Sequence, residues 1–120
     1  MIATAVERWG GLDILYNNAG GAPGDDDTPL TTSEETWQFT FDVNVKAAVM
    51  ASRAAAPHMR RRGGGAIVNV ASLGGTRPWP AHLAYCASKA ALVMATRCLA
   101  LALAPQIRVN AVAPGVLDPP

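Results

Sequence analysis

The sequence predicts an α/β fold: a three-layer arrangement with a parallel sheet of about three strands and flanking helices. Three observations predict it. Periodic segments follow the order helix, strand, helix, strand, helix, strand. Strands separated by long helices cannot be hairpins, so they run parallel and are joined by right-handed crossovers. The strand segments are apolar without polar alternation, as expected of strands covered on both faces. A length of 120 residues fits one small domain and leaves no room for two.

The elements follow in order. Residues 2–9 read as the end of a helix, stopped by Gly10-Gly11. Leu12 to Tyr16 is a short apolar run of buried-strand character. Asn17 to Thr31 is loop, rich in Gly, Asp and Pro. Thr32 followed by Glu35 forms a capping box that opens a helix. Trp37, Phe41, Asn44, Ala48, Ala51 and Ala55 recur at helical spacing and predict its buried face, with Asn44 the one polar member. Pro57 is expected to kink or end this helix. Arg60 to Gly65 is a basic, glycine-rich turn, and Ala66 to Ala71 is a second buried strand. Ser72 to Pro80 is loop, and a helix from about Leu83 to Ala104 stops at Pro105. Ile107 to Val112 is the third strand, and Pro119-Pro120 cannot continue regular structure.

Composition excludes several classes. Half of the residues are apolar, so wholesale disorder is out. Ten basic against nine acidic residues give a net charge of +1, which argues against nucleic acid or an anionic membrane as a partner held by bulk charge. Arg60-Arg61-Arg62 reads as a solvated helix end, where cations suit the dipole, and Asp25-Asp26-Asp27 as a solvated loop. Cys86 and Cys98 are too few for a disulfide scaffold, and with His58 and His82 they form no metal set. Reduced thiols, and residues 1–9 unlike a signal peptide, give a cytoplasmic expectation. The apolar tract Ala90–Ala104 is split by Arg97 and is short for a membrane span.

The basic residues are eight arginines and only two lysines, Lys46 and Lys89. Lysine can titrate and is a compact donor, which draws attention to Lys89. Tyr85 and Lys89 stand four apart on one helix and share a face. A phenol is too weak an acid to serve as a base near neutral pH, and a neighbouring ammonium favours its ionised form. Such a pair can exchange a proton with a substrate hydroxyl or carbonyl; the bland alternative is a chance pair on a solvated face. Ser72 shifts that balance. It directly follows the second strand, and the carboxyl edge of a parallel sheet is where α/β proteins bind ligands. There a serine hydroxyl can hold a substrate oxygen against the tyrosine. Asn44, polar on a buried face, needs partners such as a water or a lysine ammonium. Trp79 either lines a substrate pocket or packs, His82 touches substrate or is merely solvated, and Cys86 reads as packing.

With these residues in place the chain resembles the short-chain dehydrogenase/reductase family, in its large classical branch. The matching stretches are Asn17-Asn18-Ala19-Gly20, Asp42-Val43-Asn44-Val45, Ile67-Val68-Asn69-Val70-Ala71-Ser72, Tyr85-Cys86-Ala87-Ser88-Lys89 and Arg108-Val109-Asn110-Ala111-Val112-Ala113-Pro114-Gly115. They occur in the family's order and cover almost the whole chain. The resemblance implies an NAD- or NADP-dependent hydride transfer to or from a carbonyl or secondary alcohol. It implies Tyr85 as general acid/base and Lys89 as the residue that lowers its pKa and holds the nicotinamide ribose. Ser72 would polarise the substrate, and Asn44 would hold a relay water. Asn17, Ala19 and Gly20 would support the sheet and line the cofactor cleft, with Pro114 and Gly115 beside the nicotinamide. The helices 33–58 and 83–104 would form a homo-oligomer interface.

The sequence also departs from that pattern. Family members begin with a strand and a Gly-x3-Gly-x-Gly turn, in which backbone amides face the pyrophosphate. Gly63–Gly65 precedes a strand, and Gly20, Gly21 and Gly24 are followed by three aspartates. Residues 1–120 thus read as a partial Rossmann-type NAD(P)-binding domain, the catalytic segment without the glycine-rich half or the carboxyl-terminal lid. Open sheet edges and a poorly covered face then predict marginal stability or self-association. Two readings stand: an oxidoreductase, or a catalytically silent α/β interaction protein derived from one.

Overall fold

A computed structural model describes residues 1–116; Pro119-Pro120 lie outside the described residues. Three strands form one parallel sheet in the order β1 (Ile14–Asn17), β2 (Gly65–Val70), β3 (Ile107–Val112). Ile14 pairs with Ala66, and Gly65 with Ile107. The α/β class, the parallel strands and the flanking helices are as the sequence predicts.

The helices are α1 (Ile2–Trp9), α2 (Glu34–Phe41), α3 (Ala47–Arg61) and α4 (Leu83–Leu103). Crossovers of one hand that step across a sheet in one direction put their helices on one face. The burial pattern agrees. Leu15, Ile67, Ile107 and Val109 are buried against Ala55, Ala56 and Met59, with Ile2, Leu99 and Leu103 packed around them. Their alternates on the strands, Ile14, Tyr16 and Val112, are exposed. The described residues therefore supply two of the three expected layers, and the second sheet face is open, as the poorly covered face predicted.

Local corrections have local causes. The N-cap of α2 is Ser33, whose Oγ accepts from the Thr36 amide at 3.1 Å. The expected Thr32–Glu35 box does not form, because Thr32 Oγ1 accepts from the Asp27 amide at 2.9 Å. Helix α3 runs through Pro57 instead of ending there. Pro57 is exposed, and so is Arg53, whose carbonyl loses its helical partner, so water can serve that carbonyl. Between α2 and α3 a π-helical turn spans Asp42–Lys46. The buried residues of this long helix are Thr36, Thr40, Asn44, Ala48, Ser52, Ala55, Ala56 and Met59, so Asn44 is not its one polar member. Trp37, Phe41 and Ala51, expected to be buried, are only half-buried. By length and composition α4 could cross a membrane, being longer than the tract considered above. Its Thr96 and Lys89 nonetheless bond into the sheet, as in a core helix.

A buried amide network ties the layers together. Asn69 on β2 is fully buried; its Nδ2 donates to Thr96 Oγ1 at 2.9 Å, and its Oδ1 accepts from Asn17 Nδ2 at 2.8 Å. Thr96 Oγ1 in turn donates to the Leu92 carbonyl at 2.8 Å. Asn69→Ala leaves a cavity and strips Asn17 of its best acceptor, at an expected cost of about 2–4 kcal/mol. Chemical denaturation measures this, and a loss under about 0.5 kcal/mol counts against the network.

Candidate functional site

Strand β2 ends at Val70, and the chain turns at Ser72 into a short 3₁₀ turn, Leu73–Gly75. Helix α4 then returns along the sheet. At the carboxyl ends of the strands this geometry opens a cleft of about 230 Å³. Ser72, Trp79, Tyr85 and Lys89 line it, with glycine walls at Gly20, Gly21 and Gly115.

Lys89 is 4% exposed. Its Nζ donates to the Val70 carbonyl at 2.8 Å and lies 5.7 Å from the centroid of the Tyr85 ring. Burial disfavours the ammonium and pulls the Lys89 pKa below the ordinary lysine value. The Tyr85 ring stacks on Trp79 at 6.2 Å and 22°, and His82 meets both rings edge-on. Ser72 Oγ accepts from the Gly74 amide at 3.1 Å, which leaves its own proton free to donate. A methyl group placed on Gly74 would lie 3.4 Å from Tyr85 Cε1 and 3.5 Å from Ser72 Oγ, so the two side chains flank that glycine.

Asn44 sits in the π turn, a device often found at functional sites. Its amide grips Gly21 from both sides: Nδ2 donates to the Gly21 carbonyl and Oδ1 accepts from the Gly21 amide, each at 2.9 Å. Nδ2 also donates to Ser88 Oγ at 2.9 Å. The side-chain amide of Asn44 thus bonds to backbone and serine, whereas a water or a lysine ammonium was expected from its burial. A Cβ on Gly20 would meet Asn44 Oδ1 at 2.7 Å and Lys89 Nζ at 2.9 Å. The absence of a side chain at Gly20 is what lets those two groups sit side by side.

Six of the sequence-derived residues meet at the cleft: Gly20, Ser72, Tyr85, Lys89, Pro114 and Gly115. Asn44 stands behind it, gripping Gly21. Asn17 and Ala19 line a separate depression together with Ala48 and Ala51; Asn17 belongs to the Asn69 network, in keeping with sheet support. Sequence reasoning missed Asp26. It is 3% exposed rather than solvated, and its carboxylate accepts from the Ala84 amide at 2.9 Å and the Tyr85 amide at 2.7 Å. It also missed Gly75, whose added Cβ would lie 2.8–3.0 Å from the backbone of Lys89 and Ala90. No local signal marks either residue, since their partners are distant in sequence. Asp25 accepts a hydrogen bond from Thr36 Oγ1.

The residues present fit the nicotinamide end of a dinucleotide: glycine walls allow close approach, and Lys89 Nζ has donors beyond the one given to Val70. Among the described residues, no glycine turn between a strand and a helix amino end offers a pyrophosphate cradle. No group of His, Cys, Asp and Glu there could hold a metal ion.

A parallel sheet with flanking helices and with serine, tyrosine and a buried lysine at its carboxyl edge defines an α/β protein of Rossmann-like architecture. The sequence profile described as short chain dehydrogenase matches residues 1–120, and the chain belongs to the short-chain dehydrogenase/reductase family. It is 43% identical over 118 residues to human dehydrogenase/reductase SDR family member 4, covering 98% of this chain and 42% of that protein. A crystal structure assigned to this family, from Burkholderia xenovorans, superposes with a TM-score of 0.91 at 37% identity, covering 99% of this chain and 45% of that one. A tyrosine-to-phenylalanine variant of ElxO with NADPH bound superposes with a TM-score of 0.90 at 30% identity, covering 98% and 47%. The chain thus spans less than half the length of these relatives.

Proposed function

We propose that this chain carries the acid/base machinery of an oxidoreductase that uses NAD or NADP to interconvert a carbonyl and a secondary alcohol. The observation that supports this reading most is the convergence of Ser72, Tyr85 and Lys89 on one cleft, with the lysine ammonium buried beside the phenol ring. A bound nicotinamide supplies or accepts the hydride. The free Ser72 proton donates to the substrate oxygen and holds it against Tyr85. The Tyr85 hydroxyl exchanges a proton with that same oxygen. Lys89 holds its charge beside the ring and offers its spare donors to ribose hydroxyls. Asn44 fixes the Gly20–Gly21 wall, and its Oδ1 faces Lys89 across Gly20, where a water can relay protons. Residues 1–120 act in this reading as the catalytic segment of an NAD(P)-binding domain, in the cytoplasm, where Cys86 and Cys98 stay reduced.

Titrating the chain with NADPH and following carbonyl reduction tests the reading. Saturable binding is expected, with turnover falling about 10²–10⁴-fold in Tyr85→Phe. One observation favours a second reading, a silent self-associating protein: Phe39, Met50, Met94 and Leu101 are exposed on the helices 33–58 and 83–104. Absence of NADPH binding at millimolar levels alongside a defined dimer would favour that reading over the enzyme.

A further inference from the structure

We infer that Asp26 is a positioning residue for Tyr85, acting as a remote cap that sets the rotation and height of the helix carrying the phenol. The inference rests on the acid/base reading of Tyr85 given above. An α-helix leaves its first amides without internal partners, and the residue at its N-cap ordinarily satisfies those of the second and third positions. In α4 those positions are Ala84 and Tyr85, and the local N-cap, His82, makes no side-chain bond. The carboxylate that does the work comes from the loop after β1, 58 residues before Ala84, with one oxygen on each amide. A negative charge also suits the positive end of the helix dipole.

The arrangement reaches beyond a cap. The same loop carries Gly20 and Gly21, which wall the cleft, and Asn44 grips Gly21 a few residues upstream. The loop is therefore pinned twice: at Gly21 to the π turn, and at Asp26 to the first turn of α4. These two pins fix the distance between the glycine wall and Tyr85. Loss of the second pin frees the first turn of α4, while Lys89, one turn further on, stays tethered to Val70.

Amide exchange and kinetics together test this on the full chain. In Asp26→Ala the Ala84 and Tyr85 amides should exchange about tenfold faster, with later amides of α4 unchanged. The kcat for carbonyl reduction should fall about tenfold or more, while NADPH affinity stays within about twofold. Asp26→Asn keeps one acceptor oxygen and the shape, and should restore protection of one amide and part of the kcat. A uniform loss of protection along α4, with affinity and kcat falling together, would mean a structural role only and overturn the inference. So would an Asp26→Ala chain with full kcat while Tyr85→Phe is inactive. A fully active Tyr85→Phe chain would instead bring down the acid/base reading, and this inference with it.

Discussion

Lys89→Met is expected to remove about 10²-fold or more of turnover and, at neutral pH, to leave the folded state no weaker or even firmer. The activity follows from position: among the described residues Lys89 is the cation that stands over the Tyr85 ring, and its Nζ faces Gly20 and Asn44. The stability follows from burial. Methionine fills a similar volume with no charge to desolvate, and the change forfeits one hydrogen bond to the Val70 carbonyl, worth about 1 kcal/mol.

The pH dependence separates the two effects. Burial lowers the folded pKa of Lys89 below the ordinary value of 10.5. Below the folded pKa both states hold the proton, and the folded state bears the full desolvation penalty. Between the folded pKa and 10.5 the unfolded chain holds a proton that the folded chain has released, so wild-type stability rises with pH in that window. The advantage of Lys89→Met should therefore be greatest below the folded pKa and shrink as pH climbs from there toward 10.5. Urea melts of both proteins across that range measure it; a gap that grows with pH contradicts the burial argument.

Gly75→Ala should damage fold and site together. Its methyl would lie 2.8–3.0 Å from the Lys89 carbonyl group and the Ala90 nitrogen, all of them backbone atoms that no rotamer change can move aside. The 3₁₀ turn must then back away from α4, at a cost of about 1–3 kcal/mol. Ser72 lies at one end of that turn and Lys89 on the helix it leaves, so their separation changes and kcat drops by about tenfold or more. Gly24→Ala is the control, because nothing lies within 4 Å of the added carbon; it should stay within about 0.5 kcal/mol of the parent. Matching melts for the two variants would refute the close-approach argument.

Much of this molecule was legible in its sequence, because much of it is encoded locally. Apolar runs bounded by Gly and Pro mark the strands, and β3 begins and ends where they place it. The four-residue spacing of Tyr85 and Lys89 puts both in the cleft. What was illegible depends on partners far along the chain. A capping carboxylate on a loop is indistinguishable from a solvated one until the helix it caps is in place, and so Asp26 was missed. Thr32 and Ser33 compete for one N-cap, and the Asp27 amide decides between them. Apolarity on both faces of β1 and β2 signals two coverable surfaces, and the described residues cover one of them, leaving Ile14 and Tyr16 exposed on the other.

The π turn at Asp42–Lys46 sets the register of the whole helix. One surplus residue there lets Thr36 and Thr40 upstream and Ala48 and Ala55 downstream all face inward, while turning the Asn44 amide toward Gly21. Its removal would restore an ordinary helix but rotate every inward residue on one side of the deletion by about a quarter turn or more. The surplus residue thus holds both halves of the helix in register with the core, and the Asn44 grip on Gly21 depends on it.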